Sequence, residues 1–269
     1  MTMRSRTMRS ALVSLSLAVP AVLGLASASA APRQPVVYDA LGDSFASGYG
    51  VPPYTATCGQ SDSAYAVQVD GREKVTLDDF VACAGATTLT LVSGHQLDAL
   101  DADTDLVTLT IGGNDIGWSS TVAACLGGTD QQCAGSIALT RGKISNVLPG
   151  LLDTVYAQVS QHAPHARVLV TGYPRLFSPE YGAFLGASPA EQGALNDGAD
   201  LLDAVIAEAA ARHGFGFVDV TKRFDGHGVN ALEPWVRGPF DLAAFHPNVL
   251  GYEAYTAAVT AAIRPSALK

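Results

Sequence analysis

Short apolar runs, three of which end at glycine, alternate with helical stretches, and this alternation constrains the fold more than any other feature. Five runs are rich in β-branched and aromatic residues and have the length of strands. They are Pro35–Leu41, Thr76–Ala82, Leu106–Ile111, Arg167–Thr171 and Phe215–Val220. Such runs, bounded by turn residues, predict β-strands. Apolar strands separated by helices predict a parallel sheet that is covered on both faces.

The clearest helix signal begins at Ser188, where Glu191 stands three residues later and completes the pattern of a capping box. This helix is expected to end before Gly214, because glycine commonly follows the last turn of a helix. A long helix is predicted around Ile144–His162, and a final alanine-rich helix is predicted after Pro247.

These elements predict a single-domain, three-layer α/β sandwich over residues 31–269. Its centre is a parallel sheet of about five strands with helices on both faces, as in flavodoxin-like folds. No low-complexity linker, internal repeat or charge block divides this region. In such sheets, ligands bind at the carboxyl ends of the strands, so functional residues are expected in the loops that follow them.

Residues 1–30 have the three-part pattern of a secretory signal peptide. Three arginines precede the apolar run Ala11–Leu25, and a stretch of small residues ends at Ala30. We expect cleavage after Ala30 and a secreted protein. The alternative is an uncleaved N-terminal anchor. Nothing after residue 30 approaches the ~18 to 20 apolar residues that a membrane span requires, so we expect no integral membrane span.

Export predicts that the four cysteines form disulfide bonds, because thiols in an oxidising compartment usually pair. Cys58, Cys83, Cys125 and Cys133 allow three connectivities. We favour Cys58–Cys83 and Cys125–Cys133, since each pair closes a local loop. The alternative is a zinc site, but no CxxC motif occurs and no histidine is near these cysteines in sequence. We therefore expect no metal.

The charge balance argues against nucleic acid as a partner. The chain has 16 Lys and Arg residues against 25 Asp and Glu residues, which gives a formal charge of -9. An acidic surface repels phosphate backbones. With 48% hydrophobic and 15% charged residues, the chain is not of the disordered class either. We expect a globular monomer.

Four residues that suit acyl-transfer chemistry stand where the fold would bring them together. Ser44, Gly85 and Asn114 follow the first three predicted strands, and His246 precedes the last predicted helix. A serine in a tight, glycine-flanked turn exposes its hydroxyl, and a helix that begins there directs N–H groups at an anion. An imidazole next to that hydroxyl removes its proton and later returns it to a leaving group.

The blocks that contain these residues resemble those of the SGNH, or GDSL-type, hydrolase superfamily. GDSFASG (Gly42–Gly48), Gly85, GGND (Gly112–Asp115) and FHPN around His246 stand in the order of that superfamily. The resemblance is greatest to the secreted actinobacterial esterases, lipases and phospholipases.

The resemblance implies hydrolysis of a small-molecule or lipid carboxylic ester through an acyl-enzyme, without a cofactor. It implies Ser44 as the nucleophile and His246 as general base and acid. It also implies an oxyanion hole formed by the N–H groups of Ser44 and Gly85 and the side-chain amide of Asn114. Phospholipids and acetylated carbohydrates remain open as substrates, because fold and nucleophile do not separate them.

One position departs from the superfamily. Many members have an aspartate three residues before the histidine to orient it, whereas this chain has Ala243 there. Two solutions are open: a Ser–His dyad whose imidazole binds a backbone carbonyl within residues 240–244, which we favour, or Asp241 reaching the ring. The missing acid also leaves open a non-catalytic binder that kept the fold.

Aromatic residues are candidates for the lining of an acyl pocket. Trp118, Trp235 and Phe245 stand near the motif blocks. Pockets for small ligands are mostly apolar and carry a few placed polar groups, which suits these side chains. The alternative for each of them is ordinary packing in the core.

Overall fold

A computed structural model describes residues 1–2 and 35–263 of the protein. Its internal contacts divide the chain into two units, Met1–Gln34 and Pro35–Lys269. The predicted signal peptide and its cleavage site lie outside the described residues, as do both ends of the predicted domain. Every strand and helix of the described residues belongs to the second unit.

Five strands form one parallel sheet in the order β2-β1-β3-β4-β5. They are β1 (Val36–Gly42), β2 (Val75–Phe80), β3 (Leu106–Thr110), β4 (Arg167–Thr171) and β5 (Gly216–Val218). The parallel five-stranded sheet confirms the prediction from sequence. From β2 the chain crosses to the other side of β1, so the strand order reverses between β1 and β3. A crevice opens at the carboxyl ends of strands at such a reversal.

Helices cover both faces of the sheet. They are α1 (Ser44–Ser47), α2 (Tyr65–Val69), α3 (Thr88–Ser93), α4 (Trp118–Gly127), α5 (Asp130–Asn146), α6 (Leu148–His162), α7 (Pro189–Arg212), α8 (Thr221–Phe224) and α9 (Val249–Ala262), with 3-10 turns at Gln96–Ala99 and Pro179–Tyr181. Within residues 1–2 and 35–263, no helix combines the length and apolar character that crossing a membrane requires.

The two hydrophobic layers follow the alternation of side chains along the strands. Tyr38 and Leu106 point into the layer that contains α2 and α9. Leu41 and Leu109 point into the opposite layer, which contains α3, α6 and the second half of α7. Because successive strand residues face opposite sides, apolar strands of this kind are buried on both faces.

Side-chain caps begin two of the helices, and the one at Ser188 is the cap that the sequence predicts. Ser188 accepts a hydrogen bond from the N–H of Glu191, and the Glu191 carboxylate accepts from Ser188, which completes the capping box of α7. Asn248 accepts from the N–H of Gly251 and caps α9, whose first residue is Val249.

The long helix predicted around Ile144–His162 is present as α6, but it begins later than predicted, at Leu148. Ile144 lies in the last turn of α5, Val147 separates the two helices, and α6 starts at Leu148. Pro149 is in the first turn of α6, where its missing N–H costs nothing, whereas inside a continuous helix it would remove a hydrogen bond. The hydrophobic pattern runs through the break, because both helices contribute to the same layer.

The last strand is shorter than predicted. β5 covers Gly216–Val218 rather than Phe215–Val220. The carboxylate of Asp219 accepts hydrogen bonds from the backbone N–H and the hydroxyl of Thr221. This local turn starts α8 and ends the strand early.

Candidate active site

One cavity lies at the carboxyl edge of the sheet, where the loops after β1, β2 and β3 meet the loop before α9. Its volume is about 330 Å³. Ser44, Gly85, Asn114 and His246, which are separated by up to two hundred residues in the chain, all line it. The structure thus brings together the four residues that the sequence motifs indicated.

The turn before Ser44 requires glycine. Gly42 has a φ of 135°, and a Cβ there would lie 2.4 Å from the carbonyl oxygen of Thr110 on the neighbouring strand. Asp43 then caps α1 by accepting a hydrogen bond from the N–H of Phe45 at 2.9 Å. Ser44 is consequently the first residue of a helical turn, with its hydroxyl at the cavity and its N–H free of intrahelical bonds.

His246 contacts Ser44 directly. Nε2 of the ring lies 2.8 Å from the Ser44 hydroxyl oxygen. Nδ1 lies 3.0 Å from the carbonyl oxygen of Ala244 and 3.3 Å from that of Ala243. Because carbonyls only accept hydrogen bonds, Nδ1 carries the ring proton and Nε2 is left to accept from the serine hydroxyl.

Two aromatic rings hold the imidazole in place. Phe45 and Tyr49 have ring centroids 5.1 Å and 5.0 Å from that of His246. Burial lowers the pKa of His246 from its ordinary value of 6.5, because the charged ring loses water, and the two backbone carbonyls oppose this in part. The neutral, proton-accepting form is therefore favoured at neutral pH.

The carboxylate of Asp241 has partners other than the ring of His246. Its carboxylate forms an exposed ion pair with Arg237 at 3.1 Å and accepts from the N–H of Ala243 at 3.2 Å. The N–H of Ala243, followed by the charge of Arg237, lowers the pKa of Asp241. Of the two arrangements left open by the sequence, the structure has the one in which backbone carbonyls bind the ring.

The three residues expected to form an oxyanion hole, Ser44, Gly85 and Asn114, all line the cavity. Gly85 has a φ of 83°, and no atom lies within 4 Å of the place where its Cβ would be, so the approach to its backbone is open. Asn114 donates from Nδ2 to the carbonyl oxygen of Ala86 at 2.8 Å. An amide has two N–H groups, and this bond uses one of them to fix the direction of the other.

A tyrosine that the sequence reasoning missed links three of the strand ends. The Tyr173 hydroxyl, just beyond β4, donates to the carboxylate of Asp43 at 2.5 Å and accepts from the N–H of Gly113 at 3.0 Å. It therefore joins the turn that carries Ser44 to the loop that carries Asn114. The only sequence signal was its place, directly after Gly172 at a strand end.

Burial affects the charge of the Asp43 carboxylate, which accepts the hydrogen bond from Tyr173. Asp43 is fully buried, and the loss of water raises its pKa to about 7, against the hydrogen bonds from Tyr173 and from two backbone N–H groups. Asp115 similarly braces a loop, since its carboxylate accepts from the N–H and hydroxyl of Thr88. Both aspartates have the bracing contacts expected from sequence rather than a contact with His246.

The disulfides join Cys58 to Cys83 and Cys125 to Cys133, the pairing favoured from sequence. The first fixes the chain two residues before Gly85, where Ala84 also donates to the carbonyl of Cys58 at 2.8 Å. Because all four cysteines are paired, they are not available as zinc ligands.

One group of carboxylates among residues 35–263 lies close enough to hold a cation. Oxygen atoms of Asp39, Asp78 and Asp79 lie within 4.8 Å of one another. Both oxygens of Asp39 already accept hydrogen bonds, from Asp79 N–H and the Thr104 hydroxyl. None of the three lines the cavity.

Two of the three candidate aromatic residues line the cavity. Trp118 and Phe245 do so, whereas the expectation for Trp235 is wrong. Trp235 stacks on His227 with centroids 3.8 Å apart and packs against Phe224. Nothing in its sequence surroundings distinguishes this packing role from a place in the pocket.

The fold and the site together define the class of protein. It is a hydrolase of the α/β type in which a serine hydroxyl is hydrogen-bonded to a histidine at the carboxyl edge of a parallel sheet. The chain belongs to the GDSL-like Lipase/Acylhydrolase family, whose model matches residues 40–254. It is thus an enzyme that hydrolyses ester bonds.

Individual relatives agree with this assignment. Lipase 1 of Streptomyces coelicolor is 38% identical over 89% of this chain and 92% of its own length. The crystal structure of an extracellular lipase from Streptomyces rimosus has a TM-score of 0.80 at 35% identity, covering 85% of this chain and all of that one (100%). Phospholipase A1 from Streptomyces albidoflavus NA297 has a TM-score of 0.79 at 34% identity, covering 84% of this chain and 99% of that one.

Proposed function

We propose that the protein is a secreted serine esterase that cleaves acyl esters in two steps. Ser44 is the nucleophile, and His246 is the general base and then the general acid. The N–H groups of Ser44 and Gly85 and the amide of Asn114 bind the oxyanion. The observation that carries the proposal is the 2.8 Å contact between the Ser44 hydroxyl and Nε2 of His246.

In the first step, Nε2 of His246 takes the hydroxyl proton while the Ser44 oxygen bonds to the ester carbonyl carbon. The carbonyl oxygen becomes an oxyanion at the three donors. The bond to the leaving alcohol then breaks, and His246 gives that alcohol its proton. This leaves an acyl group on Ser44 and the neutral alcohol.

In the second step, His246 takes a proton from water, and the resulting hydroxide oxygen bonds to the acyl carbon. The bond to Ser44 breaks, the serine regains its proton from His246, and a carboxylic acid leaves. Losing one fixed oxyanion donor typically costs about 10²- to 10³-fold in turnover. We therefore expect Gly85 and Asn114 to contribute mainly to kcat.

A catalytic dyad fits this scheme without an orienting acid. Each transfer makes His246 an imidazolium, and the carbonyl oxygens of Ala244 and Ala243 accept from its Nδ1–H. Carbonyl dipoles at this position hold the tautomer and stabilise the positive ring. They occupy the place that a carboxylate has in a triad.

Export is part of the proposal. It rests on the signal-peptide pattern of residues 1–30, on two disulfides, and on the similarity to a lipase described as extracellular. We propose cleavage after Ala30 and a monomeric enzyme with no nucleic-acid partner. N-terminal sequencing of culture supernatant tests the cleavage site, and light scattering tests the oligomeric state.

The test is hydrolysis of p-nitrophenyl butyrate by the purified protein. We expect Ser44→Ala and His246→Ala each to lower kcat/KM by on the order of 10³-fold or more. The matched controls are Ser145→Ala and His162→Ala, at exposed helix positions, which should retain wild-type activity. No hydrolysis by the wild type would favour the non-catalytic binder, and a fully active His246→Ala would refute the dyad.

A further inference from the structure

The residues from Arg237 to His246 form a closed loop directly before α9. The N–H of Arg237 donates to the carbonyl oxygen of His246 at 2.8 Å, and the N–H of Phe245 donates to the carbonyl oxygen of Arg237 at 3.1 Å. Inside the loop, the guanidinium of Arg237 is paired with the carboxylate of Asp241 at 3.1 Å. The loop is therefore closed at its base by backbone hydrogen bonds and braced across its middle by an ion pair.

The tip of this loop, residues 238–242, presents two large apolar side chains to solvent. Phe240 is 90% exposed and Leu242 is 99% exposed. Asp241 stands between them, and its carboxylate folds back onto Arg237 and the N–H of Ala243. Side chains as exposed as Phe240 and Leu242 add little apolar burial to the fold, so folding does not account for them. Exposed apolar side chains grouped beside a binding cavity are typical of an interaction surface, and we call residues 238–242 the apolar tip.

The small size of the apolar tip favours a lipid surface over a second protein chain. A stable protein interface buries about 800 Å² on each partner and uses roughly 20 to 30 residues a side. The five residues of the tip, with two large apolar side chains, do not reach that size. A lipid surface has no fixed shape to match, and each apolar side chain enters it separately.

The charges of the protein favour a lipid surface without net charge. Within the loop, the charges of Arg237 and Asp241 offset each other. The chain as a whole has a formal charge of -9, and anionic headgroups repel an acidic protein. Attraction must therefore come from insertion of the apolar side chains, which suits a zwitterionic phospholipid surface.

The apolar tip is continuous with the active site. The carbonyl oxygen of Ala243, the residue after Leu242, lies 3.3 Å from Nδ1 of His246. Ala244 and Phe245, which follow, line the cavity. Three residues span at most about 11 Å, so a lipid surface that receives Leu242 also lies close to the cavity.

We infer that Phe240 and Leu242 insert into a zwitterionic phospholipid surface and thereby dock the cavity on it. The inference rests on the proposed function, since it states the physical form in which the ester reaches Ser44. Removing one large apolar side chain from an apolar environment weakens binding roughly 10- to 100-fold. Dissolved esters reach the cavity without docking, so their hydrolysis does not depend on the apolar tip.

The experiment measures cosedimentation of the protein with vesicles of an ether-linked phosphatidylcholine, which has no ester bond to cleave. We expect the wild type to bind, and Phe240→Ser and Leu242→Ser each to raise the dissociation constant by roughly 10-fold or more. In both variants, kcat/KM for dissolved p-nitrophenyl acetate should stay within about twofold of wild type. The matched control is Leu139→Ser on α5, where the leucine is 73% exposed, and this variant should bind vesicles as the wild type does. Adding anionic phosphatidylglycerol to the vesicles should weaken binding.

A further variant, Phe240→Trp, gives a positive signal for insertion. It should bind the phosphatidylcholine vesicles at least as tightly as the wild type, because indole rings favour the lipid–water interface. Its fluorescence emission should shift to shorter wavelength when vesicles are added, beyond any change in the wild type, which contains Trp118 and Trp235. An emission spectrum that differs from the wild type but does not respond to vesicles would overturn the inference.

The inference and the proposed function fail in different ways. No binding by the wild type, equal binding by both serine variants, or binding only to anionic vesicles would overturn the inference, while acetate hydrolysis would still support the proposed esterase. A wild-type dimer that Leu242→Ser dissociates, seen by light scattering, would assign the apolar tip to a second copy of the chain and also overturn it. A wild type that binds vesicles through the tip but hydrolyses no ester would instead refute the proposed function.

Discussion

Replacing Tyr173 with phenylalanine tests whether the geometry of the oxyanion donors depends on one buried hydroxyl. The change keeps the aromatic ring, which packs edge-on against Phe45 with centroids 5.1 Å apart. It removes the donor to Asp43 and the acceptor for the N–H of Gly113. The loops of Ser44 and Asn114 then lose their side-chain link.

The expected magnitudes come from the two broken hydrogen bonds. A hydrogen bond to a charged, buried group contributes about 1.5 to 3 kcal/mol, and the N–H of Gly113 is left without a partner as well. We expect the free energy of unfolding to fall by about 2 to 4 kcal/mol. A shift of ~1 Å in a catalytic group costs up to about 10²-fold in rate. The decrease in kcat cannot exceed the effect of losing the Asn114 donor completely, which is about 10²- to 10³-fold. We therefore expect kcat to fall about 10- to 100-fold.

Steady-state kinetics with p-nitrophenyl acetate and thermal unfolding separate catalysis from stability. A positioning role lowers kcat and leaves KM nearly unchanged, because the donors act on the transition state. Removing the phenol also raises the pKa of Asp43 above its value of about 7, since the Tyr173 hydrogen bond is among the interactions that lower it. A change in the pH profile near neutrality should accompany the loss of rate.

Two buried tyrosines provide matched controls. The Tyr38 hydroxyl lies 2.6 Å from the Thr108 hydroxyl inside the sheet, so Tyr38→Phe should lower stability but not kcat. The buried Tyr156 hydroxyl has no hydrogen-bond partner within residues 35–263, so Tyr156→Phe should leave kcat unchanged and should not lower stability. A Tyr173→Phe enzyme that melts earlier but keeps kcat within twofold of wild type would refute the positioning role.

Three further predictions concern the dyad and the scaffold. Burial lowers the pKa of His246, and catalysis needs the neutral form of the ring. We therefore expect kcat/KM to rise with pH through a midpoint below 6.5 and then to level off. A midpoint above 6.5 would contradict this expectation. Asp241→Ala should retain kcat within about threefold, because the carboxylate of Asp241 binds Arg237 and not the imidazole. A loss of kcat near that of His246→Ala would show that Asp241 is the third member of a triad. Replacing Cys125 and Cys133 with alanine opens a loop whose ends are 8 residues apart and should lower the free energy of unfolding by about 2 to 3 kcal/mol, measured by denaturant titration; no change would show that this loop needs no cross-link.

Local signals in the sequence were sufficient for much of the fold. Four of the strands were predictable because each one joins an apolar run to a turn residue, whereas β2 contains Asp78 and Asp79 among its apolar residues. Ser188 was predictable as a cap because its partner, Glu191, is three residues away. The break at Val147 was not, since both flanking helices contribute apolar residues to one layer and only Pro149 marks the boundary.

Long-range contacts limited prediction of the site. Motif blocks indicated Ser44 and His246, but the bond between Tyr173 and Asp43 joins residues 130 apart in the chain. Whether Asp241 or backbone carbonyls would bind the imidazole depended on the path of a short loop. Trp235 shows that local contacts can be missed as well, because its stack on the nearby His227 depends on the path of the loop that joins them.

Reaction with a fluorophosphonate at neutral pH, followed by mass spectrometry of the peptides, tests most directly whether the Ser44 hydroxyl is a nucleophile activated by His246. We expect one adduct, on Ser44, that is absent from Ser44→Ala and forms far more slowly in His246→Ala. An unlabelled wild type, or an adduct on another residue with Ser44 unmodified, would contradict it.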